Sequence, residues 1–580
     1  MQNQLTFKLS ANYNFHKLAY LTFHATKIHL GSMEWCHVAA LIIWVLLLQR
    51  SHQTCFYKGC NPGQEEMLNL HLVPHTHDDV GWTSTVSNYY QNSVSSIINS
   101  TVAALLSNST YRFTYVEMAY FHKWWNEQST TMQAQVHELV QSGRLQFALG
   151  GWVMADEATV YYGDEIDQLT KGRDLLKRLF GSCGRPRVSW QIDAFGHARD
   201  NADLFLQASY DSTFFQRIHY VEKKQRRSNR SLEFLWNPNV ETDQLNNNAP
   251  YLFTHVFYDT YCYAKGICMG LDCGYEVFSD EMPQWKVDLF LETIQLWSQS
   301  FRTNHILVPM GCDFAYVDAA TNFKIMNNLI DRINGLQLGS HRLNAFYSTP
   351  ACYTQAVNRY FHAHDKLSTR TGDFFPYADR KHNYWSGFYT SRPALKSFVR
   401  QQSNLLTAVE QLNVFTPVHV YSTSIDELRQ WVAILQHHDA VSGTEQQHVA
   451  NDYINNLYKA GEFFTDSAGR RLIRRLRNLT NVDEIVANYY PVVNRIMLMG
   501  PRENSIEYSE MPVLGMAVYT DRAQGGTSLQ DGQIELMVHR RLVEDDRLGV
   551  DEALLEQGAD EQGGYVGVFS ILSLWKHACN

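Results

Sequence analysis

An α/β fold with a barrel-like sheet is predicted for most of this chain, on three observations. Between residues 66 and 360, short apolar runs of strand length alternate with amphipathic runs of helix length, the order expected of a parallel sheet with crossover helices. Polar and ionisable residues stand just past those apolar runs, at His75–Asp79, Asp156–Glu157, Asp193, Arg217 and Asp313. Parallel sheets gather their functional groups at that end of the strands. From about 390 to 465 the apolar spacing turns helical, and after about 480 it returns to strand-like runs broken by Gly and Asp.

The elements follow in order. Residues 67–73 read as the first strand, with a helix over 89–106. Strands at 111–115, 145–149, 188–192, 211–215 and 305–310 are interleaved with helices at 132–142, 165–180 and 201–208. In the helical region, Leu395, Phe398, Leu405, Val409 and Leu412 repeat at helical spacing. A second helix is predicted to open at Ser424 with Glu427 as its capping-box partner. Its apolar face runs through Ile425, Leu428, Trp431, Val432 and Leu435, and His438 continues that face. A third helix over 445–463 completes a small bundle. Runs at 492–499, 513–520 and 534–538 read as β structure.

Length and composition limit the function. At 580 residues the chain is too long for one core, and about two to four domains are expected. Hydrophobic content of 45% and charged content of 19% describe an ordinary globular protein. A net charge of -10 argues against a nucleic-acid binder, and the basic runs 223–230 and 470–477 read as solvated surface. The apolar run 38–48 has eleven residues, short of the about 20 that span a bilayer. It suits the apolar core of a signal peptide, with Met33 as an alternative start and a signal anchor as the one route to a membrane. Residues 1–54 are therefore an N-terminal extension. Ten cysteines, with Cys55 near Cys60 and Cys262, Cys268 and Cys273 close together, point to disulfides in an oxidising compartment. Sequons at Asn99, Asn108, Asn229 and Asn478 agree with secretory entry.

The chemistry concentrates in His75-Thr76-His77-Asp78-Asp79, in Asp193-Ala194-Phe195-Gly196-His197 and in His437-His438-Asp439. A catalytic zinc needs three or four nitrogen and oxygen ligands and an open position. His77, Asp79, Asp193 and His438 would supply two imidazoles and two carboxylates; cobalt or manganese would also accept them. His75, His197, His437 and Asp439 are candidate supports for those ligands. Asp193 and Asp313, each past a strand, form the carboxylate pair that glycoside cleavage uses, and they favour it over a hydrolase in which zinc activates water. Trp82, Arg217 and Asp439 are candidate substrate-binding residues, Trp82 as a sugar platform and Arg217 as a partner for a carboxylate or hydroxyl.

Longer motifs then carry a resemblance. Pro74-His75-Thr76-His77-Asp78-Asp79-Val80-Gly81-Trp82, Gly150-Gly151-Trp152-Val153-Met154, Ile192-Asp193-Ala194-Phe195-Gly196-His197 and Gly311-Cys312-Asp313-Phe314 resemble, in order, glycoside hydrolase family 38, the family of the lysosomal α-mannosidases. Tyr384-Trp385-Ser386-Gly387, Ser391-Arg392-Pro393-Ala394-Leu395-Lys396 and Leu435–Thr444 continue the match. The resemblance implies a zinc-dependent retaining exo-α-mannosidase acting on N-glycan-derived oligosaccharides in the lysosome or secretory pathway. It implies one zinc held by His77, Asp79, Asp193 and His438, with Asp193 as nucleophile and Asp313 as acid/base. Zinc would hold the sugar's 2- and 3-hydroxyls. The implied architecture is a seven-stranded barrel-like α/β domain over 55–365, a three-helix bundle over 366–465 and a shortened, sandwich-like β segment over 466–580. Oligomer formation is open.

Two departures accompany the match. In the family a long β-rich region precedes the segment resembling Asp466–Arg470, whereas here Gly461–Thr465 runs straight into it; later matches are Asn488–Pro491, Thr520–Gly526 and Glu535–Arg541. The alternative expectation is therefore a mannoside-binding pseudoenzyme. Second, His219 stands where many relatives carry an acidic residue.

Overall fold

In the computed structural model, ten strands organise the α/β part: β1 (Met67–Pro74), β2 (Phe113–Tyr115), β3 (Leu145–Phe147), β4 (Val188–Trp190), β5 (Ser212–Phe215), β6 (Glu233–Asn237), β7 (Leu252–Val256), β8 (His305–Met310), β9 (Gln337–Leu338) and β10 (His341–Tyr347). The structure describes residues 55–238, 250–268, 282–364, 366–414, 422–465, 489–499, 515–528, 533–555 and 569–574. The apolar run 38–48, the basic run 470–477 and Asn478 lie outside the described residues.

β1 is buried along all but its first residue, with parallel partners on both edges, β8 and β10. A strand covered on both faces needs apolar side chains throughout, and Leu68, Leu70, Leu72 and Val73 supply them. β4, β5 and β7 form a second parallel set, which β6 joins in antiparallel sense. The short parallel pair β2–β3 lies between the two sets. His75 bridges to Thr114 on one side, and Leu149 N donates to Val188 O at 2.7 Å on the other. The strands thus form a curved, half-barrel system whose C-terminal ends share one face.

Crossover helices cover it. α1 (Ser95–Ser107), α2 (Met118–Asn126), α3 (Thr130–Gln141), α4 (Tyr162–Phe180) and α5 (Arg199–Gln207) come between the early strands. α6 (Tyr220–Ser228), α7 (Gln284–Ser298), α8 (Ala319–Ile333) and α9 (Pro350–His364) follow. Their ends are specified locally: Ser129 accepts from Met132 N and Asp318 from Thr321 N. α4 carries Asp164 and Glu165 in its first turn and Lys177 and Arg178 in its last, complementing the helix dipole. Three disulfides, Cys55–Cys183, Cys60–Cys352 and Cys262–Cys312, close loops across this domain.

α10 (Pro393–Val414), α11 (Ser422–Ile434) and α12 (Gln447–Thr465) pack pairwise against one another. Two local expectations are corrected here. α11 starts at Ser422, so Ser424 and Glu427 lie inside the helix and form no capping box. It ends at Ile434, so His438 stands in the turn that follows and not on the helix face. The reason is tertiary: His438 N and Nδ1 both lie on Met154 O, at 3.2 and 2.9 Å, and draw the chain out of helical register. The basic run at 223–230 lies largely on α6 and is exposed or half-buried, with Lys223 bonded to Asp259 O and Arg227 to Tyr258 O and Asp259 Oδ1. Short antiparallel strands complete the described chain, including Gln524–Thr527 paired with both Tyr490–Val492 and Glu535–Met537.

Candidate metal centre and active site

β1 ends at Pro74, and the next five residues distribute their side chains. His75 turns away and donates from Nε2 to Tyr261 O at 2.9 Å. Asp78 also turns away, accepting from Thr76 Oγ1 at 2.7 Å. His77 and Asp79 turn inward, their nearest atoms 3.5 Å apart. From the turn after α11, His438 Nε2 lies 3.3 Å from Asp79 Oδ1 and 3.3 Å from Asp193 Oδ2. All four side chains are buried, and their donor atoms lie within 4.8 Å of one another.

The tautomers follow from the partners. Met154 O can only accept, so His438 carries its hydrogen on Nδ1 and aims a lone pair from Nε2 at two carboxylates. His77 Nδ1 sits 3.0 Å from Asp313 Oδ1, which likewise places a hydrogen there and frees Nε2. His77 Nε2, Asp79 Oδ1 and His438 Nε2 are buried atoms with no hydrogen-bond partner among the described residues. Lone pairs converging in a buried space repel unless a cation lies between them. The carboxylate charge gathered here, which favours any cation at this spot, shows in the electrostatics. Burial opposes the His77 imidazolium, yet Asp79, Asp313 and Asp193 push it up to about 10. Burial would raise the Asp193 carboxyl, but Arg217, His438 and His77 outweigh it and hold it well below the usual carboxylate range. Arg217 does so directly, donating to Asp193 Oδ1 from Nε at 2.9 Å and from Nη2. The donor set fits a divalent metal ion.

A cavity of about 450 Å³ opens beside this cluster. Asp79, Trp82, Asp193, Arg217, Asp313 and Asp439 all line it, while His77 and His438 are buried at 2% and 0% exposure. The eight residues singled out from the sequence therefore meet at one place. Asp439 is fixed by Thr444 Oγ1 at 2.6 Å. His437 lies beside Asp79 and Asp439, at 3.7 and 3.8 Å, in an overlapping cluster. His197 is a correction: it binds Glu157 Oε1 at 2.9 Å and stacks on Phe215 at 3.9 Å, so it braces the β5 end.

Other wall residues were not among the candidate site residues. Tyr261 comes from an irregular loop after β7 and donates to Asp313 Oδ1 at 2.8 Å. Trp385 stacks on the Arg217 guanidinium at 4.9 Å. The segment 540–554 reaches the cavity from far along the chain, with Arg540, Glu544, Asp545 and Glu552 in its wall. It also touches the predicted sugar platform: a Cβ on Gly549 would lie 2.7 Å from Trp82 Cη2.

Residues 67–380 match the family description "Glycosyl hydrolases family 38 N-terminal domain", and 383–472 match "Alpha mannosidase middle domain". The chain belongs to glycoside hydrolase family 38. This family 38 chain is 42% identical over 440 residues to the lysosomal alpha-mannosidase of Cavia porcellus, covering 72% of itself and 43% of that protein. It is 43% identical over 421 residues to the one from Bos taurus, covering 69% and 42%. With that from Mus musculus it shares 39% over 476 residues, covering 78% and 46%. The matched stretch thus spans under half the length of each of these relatives. An alpha-mannosidase from Enterococcus faecalis V583 has the same fold, with a TM-score of 0.51 at 16% identity, covering 69% of this chain and 42% of that one.

Proposed function

We propose that this family 38 glycoside hydrolase is a zinc-dependent retaining exo-α-mannosidase that removes terminal mannose from N-glycan-derived oligosaccharides. The observation that carries the reading is the buried quartet His77, Asp79, Asp193 and His438, in which His77 Nε2, Asp79 Oδ1 and His438 Nε2 lack hydrogen-bond partners among the described residues, beside a cavity lined by Asp193 and Asp313. In this reading the quartet would hold zinc, which would supply Lewis acidity toward the sugar's vicinal hydroxyls. Asp193 attacks the anomeric carbon; Arg217, donating to its Oδ1, keeps it ionised and orients the carboxylate. Asp313, its side chain 34% exposed to the cavity, protonates the departing oxygen and then takes a proton from water. Asp439 and Trp82 bind the sugar. The seven-stranded barrel, the three-helix bundle and the domain limits at 55–365, 366–465 and 466–580 belong to the same reading, supported by α10, α11 and α12 packing pairwise.

The lysosomal relatives and the disulfides support a lysosomal or secreted location. Among the described residues no helix is long and apolar enough to cross a membrane. The pseudoenzyme alternative is not favoured, since both carboxylates line the cavity. The test is to express this chain, measure its metal content and assay an aryl α-mannoside. About one zinc per chain and hydrolysis releasing α-mannose are expected; metal-free protein or an inert chain rejects the proposal.

A further inference from the structure

Asp313 is gripped on one oxygen only. Tyr261 Oη at 2.8 Å and His77 Nδ1 at 3.0 Å both converge on Oδ1. No hydrogen bond to Oδ2 is made among the described residues. A carboxyl with two donors on one oxygen carries an acidic proton on the other. The geometry therefore selects Oδ2 as the oxygen that serves the leaving group.

His77 is placed by the sheet, since it bridges to Asp313 at the ends of β1 and β8. Tyr261 lies outside the sheet, since residues 257–268 form neither helix nor strand, and His75 ties its backbone to the end of β1. Its ring is nonetheless 6% exposed and lies 5.2 Å from the His77 ring. A covalent restraint sits next door, and Cys268 at the far end of the loop is disulfide-bonded as well. Cys262, the residue after Tyr261, is disulfide-bonded to Cys312, the residue before Asp313. Donor and acceptor are thus each one peptide from the same cross-link. Polar contacts hold the loop's other side, with Lys223 Nζ donating to Asp259 O at 2.6 Å and Arg227 Nη2 to Asp259 Oδ1 at 2.8 Å. These fix where the loop begins; the His75 Nε2 bond to Tyr261 O at 2.9 Å and the disulfide together fix its approach to Asp313.

We infer that the Cys262–Cys312 disulfide is a positioning element for the acid/base step, holding Tyr261 Oη on Asp313 Oδ1 and so deciding which carboxyl oxygen delivers the proton. The inference rests on the assignment of Asp313 under the proposed function. Tyr261 is likewise a positioning residue.

The test compares the full chain with the Cys262→Ser/Cys312→Ser pair and, separately, with Tyr261→Phe, which leaves every disulfide in place. Each is assayed on an aryl α-mannoside with a poor phenol leaving group and on the 2,4-dinitrophenyl α-mannoside, whose departure needs no acid. For both variants, kcat/KM on the poor leaving group is expected to fall about tenfold or more, and on the dinitrophenyl substrate about twofold or less. Equal losses on the two substrates, or none, overturn the inference. A crystal structure of the pair variant reads the same point without turnover: Tyr261 Oη should leave hydrogen-bond distance of Asp313 Oδ1, and an unchanged contact overturns it. If the unmutated chain cleaves neither mannoside, the proposed function fails and the crystal structure alone decides the positioning. Should the serine pair not fold, Cys262→Val/Cys312→Ala replaces it in both measurements.

Discussion

His438 shows how much one backbone carbonyl decides. Because Met154 O takes the hydrogen on Nδ1, Nε2 presents a lone pair to Asp79 and Asp193, and a cation is needed between them. Asp193 is bound twice over, by Arg217 on Oδ1 and beside His438 on Oδ2. Asp193→Asn keeps an oxygen on the metal side and removes the attacking charge. Its turnover is expected to fall on the order of 10⁴-fold, while metal analysis finds most of the zinc retained. Full activity in that variant would sink the nucleophile assignment. At this scale the sequence was most legible where candidate ligands are near neighbours, as in His77-Asp78-Asp79. It was least legible for Tyr261, which has no motif and gains its role from Asp313, 52 residues away.

At the scale of elements, the ends of β1 and β8 must come close enough for His77 and Asp313 to meet. Gly311 permits this: a Cβ there would lie 1.8 Å from His75 O, backbone that cannot swing aside. Gly311→Ala is expected to pry the two strand ends apart, lowering the thermal midpoint by several degrees, roughly the 2–4 °C per kcal/mol of a large domain or more. It should also lower metal content in parallel, and a variant with unchanged midpoint and zinc would refute this account. The strands of the half-barrel were readable because each is a short apolar run bounded by turn residues. The C-terminal end of α11 was not readable because it is set by docking onto Met154–Asp156, where Ala155 bridges to His437 and Asp156 N donates to Gln436 O at 3.0 Å.

For the whole molecule, the α/β domain and the turn after α11 share the candidate metal centre, and segment 540–554 closes its wall. Burying so many ionisable groups links stability to pH. Burial pushes Glu165 up to about 8 from its ordinary 4.5, with Glu157 and Asp156 adding to it. Between those values the folded chain holds a proton that the unfolded chain has released, so this contribution grows as pH falls from about 8 to 4.5. His71 and His305 act oppositely. Burial lowers both, His305 to about 4, so below their ordinary 6.5 the unfolded chain takes up protons that the folded chain refuses. From pH 8 to 6.5 the buried carboxyls Glu117, Glu165 and Glu445, each raised to about 8, outnumber Lys223, which burial lowers to about 7 and which acts oppositely, so the thermal midpoint should rise. Glu165→Gln should flatten that rise; a flat profile in the unmutated chain would contradict the assignment.

The sequence by itself determined the fold class, the family and the candidate metal quartet, because hydrophobic period and short motifs are local properties of the chain. Only the tertiary structure decided which histidines face the metal space and which brace it, how Cys262 and Cys312 pair, and how Tyr261 and the segment 540–554 reach the cavity. Those outcomes depend on parallel strands bringing residues hundreds of positions apart to one end of a sheet, where contact, burial and charge are set by neighbours that no local pattern encodes.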